Sequence, residues 1–176
     1  MKNKALLQRG LTLIDVLIVL AVLSVALGLS AGSMKRMLLK HRLEGKASEV
    51  MADLQFARSE VVARNRSLRI GFAQDADGSC YVIHAGGTCS CSGNGAASCD
   101  ATATLIKVSG LPTNEGVALS TNAASITLDP RLGTFSPTAT LRLTADSGLE
   151  IRHVVNLLGR VRSCSPGKAV SGYPTC

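Results

Sequence analysis

Residues 11–32 are apolar almost without a break, with Asp15 as their single charge. As a helix, at about 1.5 Å per residue, such a run reaches roughly 30 Å and can cross the hydrocarbon of a bilayer. The pattern then turns from solid to periodic. Leu43, Ala47, Val50, Leu54, Ala57 and Val61 recur at steps of three and four, which marks one buried face of an amphipathic helix. Lys46, Glu49, Asp53, Arg58 and Arg64 fall on the other side and read as a solvated surface. One helix from residue 11 to about residue 65 is therefore expected. After Arg66 the period drops to two, first in Leu68, Ile70 and Phe72. It continues around residues 81–84, 105–108, 126–128, 141–143 and 149–155, between clusters of Gly, Pro, Asn and Ser. Short strands so punctuated predict an antiparallel sheet or sandwich. A helix followed only by strands makes the fold class α+β: a long N-terminal hydrophobic helix packed on an antiparallel β-sheet/β-sandwich head. The predicted organisation is a short start over 1–10, the membrane half of the helix over 11–32, its amphipathic half over 33–66, and a globular β-rich head over 67–176.

Charge sets the orientation. Lys2, Lys4 and Arg9 precede the apolar run and most of the chain follows it, so the positive-inside rule keeps the start in the cytoplasm and sends the head across the membrane. A cleaved secretory signal would need a shorter apolar run ending at a small-residue site. The chain of 176 residues is 46% hydrophobic but only 3% aromatic, with no Trp, so the core must be aliphatic. Lys and Arg outnumber Asp and Glu by 19 to 12, an excess that narrows if the basic start is lost. The distribution says more: from Arg152 onward the chain carries Arg152, Arg160, Arg162 and Lys168 and no acid.

Six cysteines, Cys80, Cys89, Cys91, Cys99, Cys164 and Cys176, form an even set outside the cytoplasm and predict disulfides. A bond between Cys89 and Cys91 would close too tight a ring. The first four then pair as Cys80–Cys91 with Cys89–Cys99, or as Cys80–Cys89 with Cys91–Cys99, and the spacing leaves both open. Cys164 with Cys176 would close a short C-terminal tail, worth about 3 kcal/mol in the chain-entropy model. Cys-x-Cys lacks the usual structural-zinc spacing, and no cofactor is expected. His41, His84 and His153 are scattered. Ser147, between Asp146 and Gly148, reads as a turn residue, because a nucleophile also needs a positioned base and an oxyanion site. The sequence gives no reason to expect an enzyme.

A carboxylate within a membrane span costs about 2.5–3.5 kcal/mol on insertion scales and is normally there to meet a partner. No Lys, Arg or His lies between Asp15 and Lys35. The short basic leader, Gly10, the stretch Leu11-Thr12-Leu13-Ile14, the acid at Asp15 and the hydrophobic helix together resemble the type IV prepilin family. That family usually has Phe and Glu where this chain has Leu11 and Asp15. The resemblance implies that a prepilin peptidase cuts between Gly10 and Leu11, with methylation of the new terminus. It implies that Asp15 meets a terminal amine during assembly with other pilin subunits, and that the chain sits in the inner membrane before joining a filament. The stretch Leu54-Gln55-Phe56-Ala57-Arg58-Ser59-Glu60, then Arg64-Asn65, and the late Gly159-Arg160-Val161-Arg162 resemble the FimT and GspH subgroup of minor pilins.

The late motif has its own physics. Gly159 suits a turn that needs positive φ, and alternation in the following strand would put Arg160 and Arg162 on one face. Guanidinium forks on a ridge suit phosphate oxygens, with Lys168 as a third contact and Arg152 in support. A pair of solvated arginines guarding an edge strand is the plainer interpretation. FimT-like pilins imply capture of duplex DNA in natural transformation, whereas GspH-like pseudopilins imply a structural role at the tip of a type II secretion pseudopilus.

Overall fold

The computed structural model describes residues 12–168 and 170–176; the side chains of residues 26, 27, 29–33 and 168 lie outside that description. The expected leader, Gly10 and Leu11 lie outside it as well. The chain divides into two units, residues 1–37 and 38–176.

Helix α1 spans Leu13–Arg64. Its start is capped locally. The Asp15 carboxylate accepts from the Thr12 backbone N–H at 3.0 Å and from the Thr12 hydroxyl at 2.7 Å, and the Asp15 N–H donates to Thr12 Oγ1 at 3.4 Å. This is a capping box, in which two orphan N–H groups of the first turn are satisfied reciprocally. Among the described residues no helix is long and apolar enough to cross a membrane; Leu11 and several side chains between 26 and 33, which complete the apolar run of the sequence, are outside that set.

In the second unit α1 buries Leu43, Ala47, Val50, Leu54, Ala57 and Val61, each at most 3% exposed. These are the six positions picked out by the three-and-four spacing. The strands that cover them are β1 (Leu68–Asp75), β2 (Gly78–Ala85), β3 (Cys89–Cys91), β4 (Ala97–Cys99), β5 (Thr104–Pro112), β6 (Val117–Thr121), β7 (Ser125–Leu128), β8 (Phe135–Ser136), β9 (Ala139–Ala145), β10 (Glu150–Val155) and β11 (Val161–Cys164). They form a five-stranded sheet ordered β5-β2-β1-β7-β8, a four-stranded sheet ordered β11-β10-β9-β6, and the small pair β3-β4. The pairings between these strands are antiparallel. Ile70, Ile83, Ile126 and Leu128 of the first sheet and Leu141, Leu143, Ile151 and Val155 of the second join the helix residues in one aliphatic core.

Two buried side chains, His153 and Asp53, are among the polar groups that tie helix to sheets. His153 of β10 is buried, with Nε2 2.9 Å from the carbonyl oxygen of Ala47 and Nδ1 2.8 Å from Ser163 Oγ. A carbonyl only accepts, so Nε2 carries the proton and Nδ1 accepts from the serine hydroxyl. Burial pushes this imidazole below its ordinary pKa, which keeps it neutral. Asp53 corrects the sequence expectation, which put it on the solvated side of the helix. It is 6% exposed and accepts from the Tyr81 hydroxyl at 2.5 Å and from Lys107 Nζ at 2.6 Å. The strands β2 and β5 wrap the flank of the helix and supply the partners that make burial of this carboxylate tolerable.

Three disulfides are present: Cys80–Cys91, Cys89–Cys99 and Cys164–Cys176. Cys89 and Cys99 face each other across the β3-β4 pair, and Cys80–Cys91 staples that pair to β2. This covering explains why β2 is buried on nearly every residue, not on alternate ones. Protein made in an oxidising compartment is expected to take up no alkylating label before reduction and six labels after it, one per cysteine. Mass spectrometry of native protein checks this, and any labelled thiol in unreduced material would contradict it.

Candidate nucleic-acid interface

The late motif forms a hairpin. Strand β10 ends at Val155, the Asn156 N–H donates to the Arg160 carbonyl at 3.1 Å, and the Gly159 N–H donates to the Asn156 carbonyl at 3.0 Å. The Asn156 side chain closes the turn by accepting from the Arg160 N–H at 2.8 Å. Gly159 has φ +75°, and a Cβ there would lie 2.9 Å from Gly133 O and 3.0 Å from both Arg58 Nε and Phe135 Cε2. Both the left-handed backbone and the close approach therefore require glycine. The turn rests on the helix and the core, and Arg58 donates to the Gly159 carbonyl at 3.4 Å.

Among the described residues strand β11 is an edge strand paired with β10, with Val154 opposite Arg162 and Arg152 opposite Cys164. Arg162 is exposed on the outer face of the four-stranded sheet, beside half-exposed Val154. Arg160 is also exposed but precedes the strand. It borders a groove of about 720 Å³ between the turn and Leu54, Arg58 and Val62 of the helix. Among the described residues neither Arg160 nor Arg162 has an acidic partner. The chain from the Arg160–Arg162 edge runs into the tail closed by Cys164–Cys176. Lys168 lies on the 3-10 turn Pro166–Lys168, with its side chain outside the description.

Arg152 differs from the other two. Its Nε is 2.5 Å from Glu150 Oε1, and that carboxylate holds the guanidinium more firmly in its charged form. The acid-free segment of the sequence begins two residues after Glu150, and residues two apart on a strand share a face. The pair is thus locally neutral, which weakens Arg152 as a contact for an anion.

Sequence reasoning passed over Arg142 of β9. Leu141 and Leu143 point into the core, so period-two alternation turns Arg142 outward. It is exposed, directly opposite Arg152 across β9 and β10 and opposite Ser120 of β6. The signal was available in the two leucines that flank it. Ser147 sits in the β9–β10 turn, where the Gly148 N–H donates to the Ala145 carbonyl.

A long helix with one face buried under antiparallel sheets is a fold similar to that of solved minor pilins and pseudopilins. The type IV minor pilin FimU of Pseudomonas aeruginosa (strain PAO1) is similar, at 20% identity over 74% of this chain and 96% of that one, with a TM-score of 0.53. The minor pseudopilin EpsH from the type 2 secretion system of Vibrio cholerae is similar at 14% identity over 72% of this chain and 99% of that one, with a TM-score of 0.51. No curated protein matches the chain. The model of the type II transport protein GspH matches residues 46–159, more than half of the sequence, and the chain belongs to that family. It is accordingly a minor pilin or pseudopilin of the GspH/FimT kind. The matched segment stops at Gly159, so Arg160 and Arg162 lie just beyond it.

Proposed function

We propose that this protein is a minor pilin of a type IV pilus that binds duplex DNA without sequence preference, through Arg160 and Arg162 with Lys168, and so serves DNA uptake in natural transformation. The observation that carries this reading is the pair of exposed arginines on the Gly159 hairpin, free of acidic partners among the described residues. Planar guanidiniums with several donors suit phosphate oxygens, which any DNA sequence offers. Arg152, tied to Glu150, plays a lesser part. The same reading has a prepilin peptidase remove residues 1–10, Asp15 contact a neighbouring subunit's terminal amine, and the head stand in the periplasm before the filament is built.

The test is a titration of a labelled duplex with the full chain in detergent, over a salt series. About three phosphate contacts give a slope of log K against log salt near −2.7, and affinity in the micromolar range or weaker. The double variant Arg160→Gln, Arg162→Gln should lose binding, with disulfides and melting unchanged. In a transformable host it should lose DNA uptake and keep pili. The family match to a type II transport protein favours a second reading, a structural pseudopilin at a pseudopilus tip. Wild-type protein with no affinity for DNA at low salt would decide for that one.

A further inference from the structure

We infer that Arg142 is an additional phosphate contact, so that the DNA-binding surface runs diagonally over the outer face of the four-stranded sheet; this rests on the DNA-binding reading above. The outward residues of that face are known from register. Strand β6 contributes Ser120, β9 contributes Thr140, Arg142 and Thr144, β10 contributes Glu150, Arg152 and Val154, and β11 contributes Arg162. Strands lie about 4.8 Å apart and rise about 3.4 Å per residue. Arg142 and Arg162 sit two strands and two residues apart, a separation of roughly 12 Å. That is comparable to the width of a B-form major groove, about 12 Å, so the two guanidiniums can reach separate phosphates.

Three features favour a ligand over a merely solvated surface. Arg142 stands directly opposite Arg152, and like charges facing each other across strands are destabilising. Only Arg152 has an acidic partner, Glu150, which leaves Arg142 uncompensated among the described residues. Around it lie the hydroxyls of Ser120, Thr140 and Thr144, side chains of a kind that commonly bond phosphate and sugar. Among the described residues no aromatic side chain occurs on this face, so it offers no stacking platform for unpaired bases, and its ligand is the backbone of a duplex.

The experiment repeats the salt series on the full chain in detergent with a labelled duplex and with a single strand of the same length. With Arg142 added to Arg160, Arg162 and Lys168, the wild-type slope steepens to about −3.6. Arg142→Gln is expected to return it to about −2.7 and to weaken binding by roughly tenfold at 50 mM salt. Arg142→Lys should restore most of the slope, since a point charge still releases a counterion. Arg152→Gln should change the slope less than Arg142→Gln does. The duplex should bind at least as tightly as the single strand. Melting temperatures of Arg142→Gln should not fall, because Arg142 is exposed and faces a like charge. If wild-type protein binds DNA and Arg142→Gln binds equally well with an unchanged slope, this inference is overturned and the hairpin reading stands. Stronger binding of the single strand would also overturn it. If wild-type protein does not bind at all, the underlying reading fails.

Discussion

Phe135→Ala is expected to destabilise the head by about 3–5 kcal/mol, the usual cost of deleting a buried aromatic side chain and leaving a cavity. Phe135 is fully buried. It pairs with Leu128 from the short strand β8, and its backbone N–H donates to the Leu157 carbonyl at 3.0 Å. Its ring lies directly under Gly159, so the cavity would open beneath the turn that presents Arg160. The variant should therefore unfold at lower urea and, in conditions where it remains folded, bind DNA more weakly. Phe135→Leu, which keeps much of the volume, should cost less on both counts. Urea unfolding of the full chain in detergent measures the first effect. A loss below about 1 kcal/mol, the range of ordinary surface substitutions and average mutants, would show that the ring does not support the turn.

Asp15→Asn separates two roles that one carboxylate can play. The structure gives Asp15 a local task, closing the capping box with Thr12. The proposed assembly contact needs its charge as well. An asparagine oxygen can still accept from Thr12, but it cannot pair with a terminal amine as an ion. Asp15→Asn should thus keep the helix start and the membrane-inserted pool, yet lower incorporation into filaments by roughly tenfold or more, as expected when a desolvated charge contact worth above about 1.4 kcal/mol is lost. Asp15→Ala should lose both the cap and the contact, and Asp15→Glu should behave almost as wild type. Blotting sheared filaments against the membrane fraction reads the result. Full incorporation of the asparagine variant beside failure of the alanine variant would assign Asp15 to the cap alone.

How far the sequence carries can be judged residue by residue. The helix face was legible because a single amphipathic period repeats over several turns, and all six of its members are buried. The strands β1, β2, β5, β7, β9 and β10 were also legible, from alternation or from a short apolar run between turn residues. The short β3, β4 and β8 were not, since two or three residues cannot establish a period, and β6 was not picked out although Pro112, Asn114 and Gly116 mark the turn before it. In the candidate site, the Gly159 turn and the exposed arginines followed from local chemistry. The binding of Arg152 to Glu150 did not, because the acid lies just before the acid-free segment that begins at Arg152. Arg142 was hidden in plain alternation, and its significance appears only when β9 is laid beside β10.

The sequence by itself determined which positions are apolar, with what period, and where turns must break the chain, because those properties are local and the backbone has only a few repeating geometries. It thereby determined the α+β class, the length of the helix and the exposed character of the late arginines. Tertiary structure decided everything that depends on neighbours distant along the chain. It chose Cys80–Cys91 with Cys89–Cys99 by placing Cys89 opposite Cys99. It buried Asp53 by bringing Tyr81 and Lys107 against the flank of the helix, and it assembled Arg142, Arg152 and Arg162 on one sheet face. A side chain's period says which way it points; what it meets there is set by strand order and register, and those are fixed only when the whole core closes.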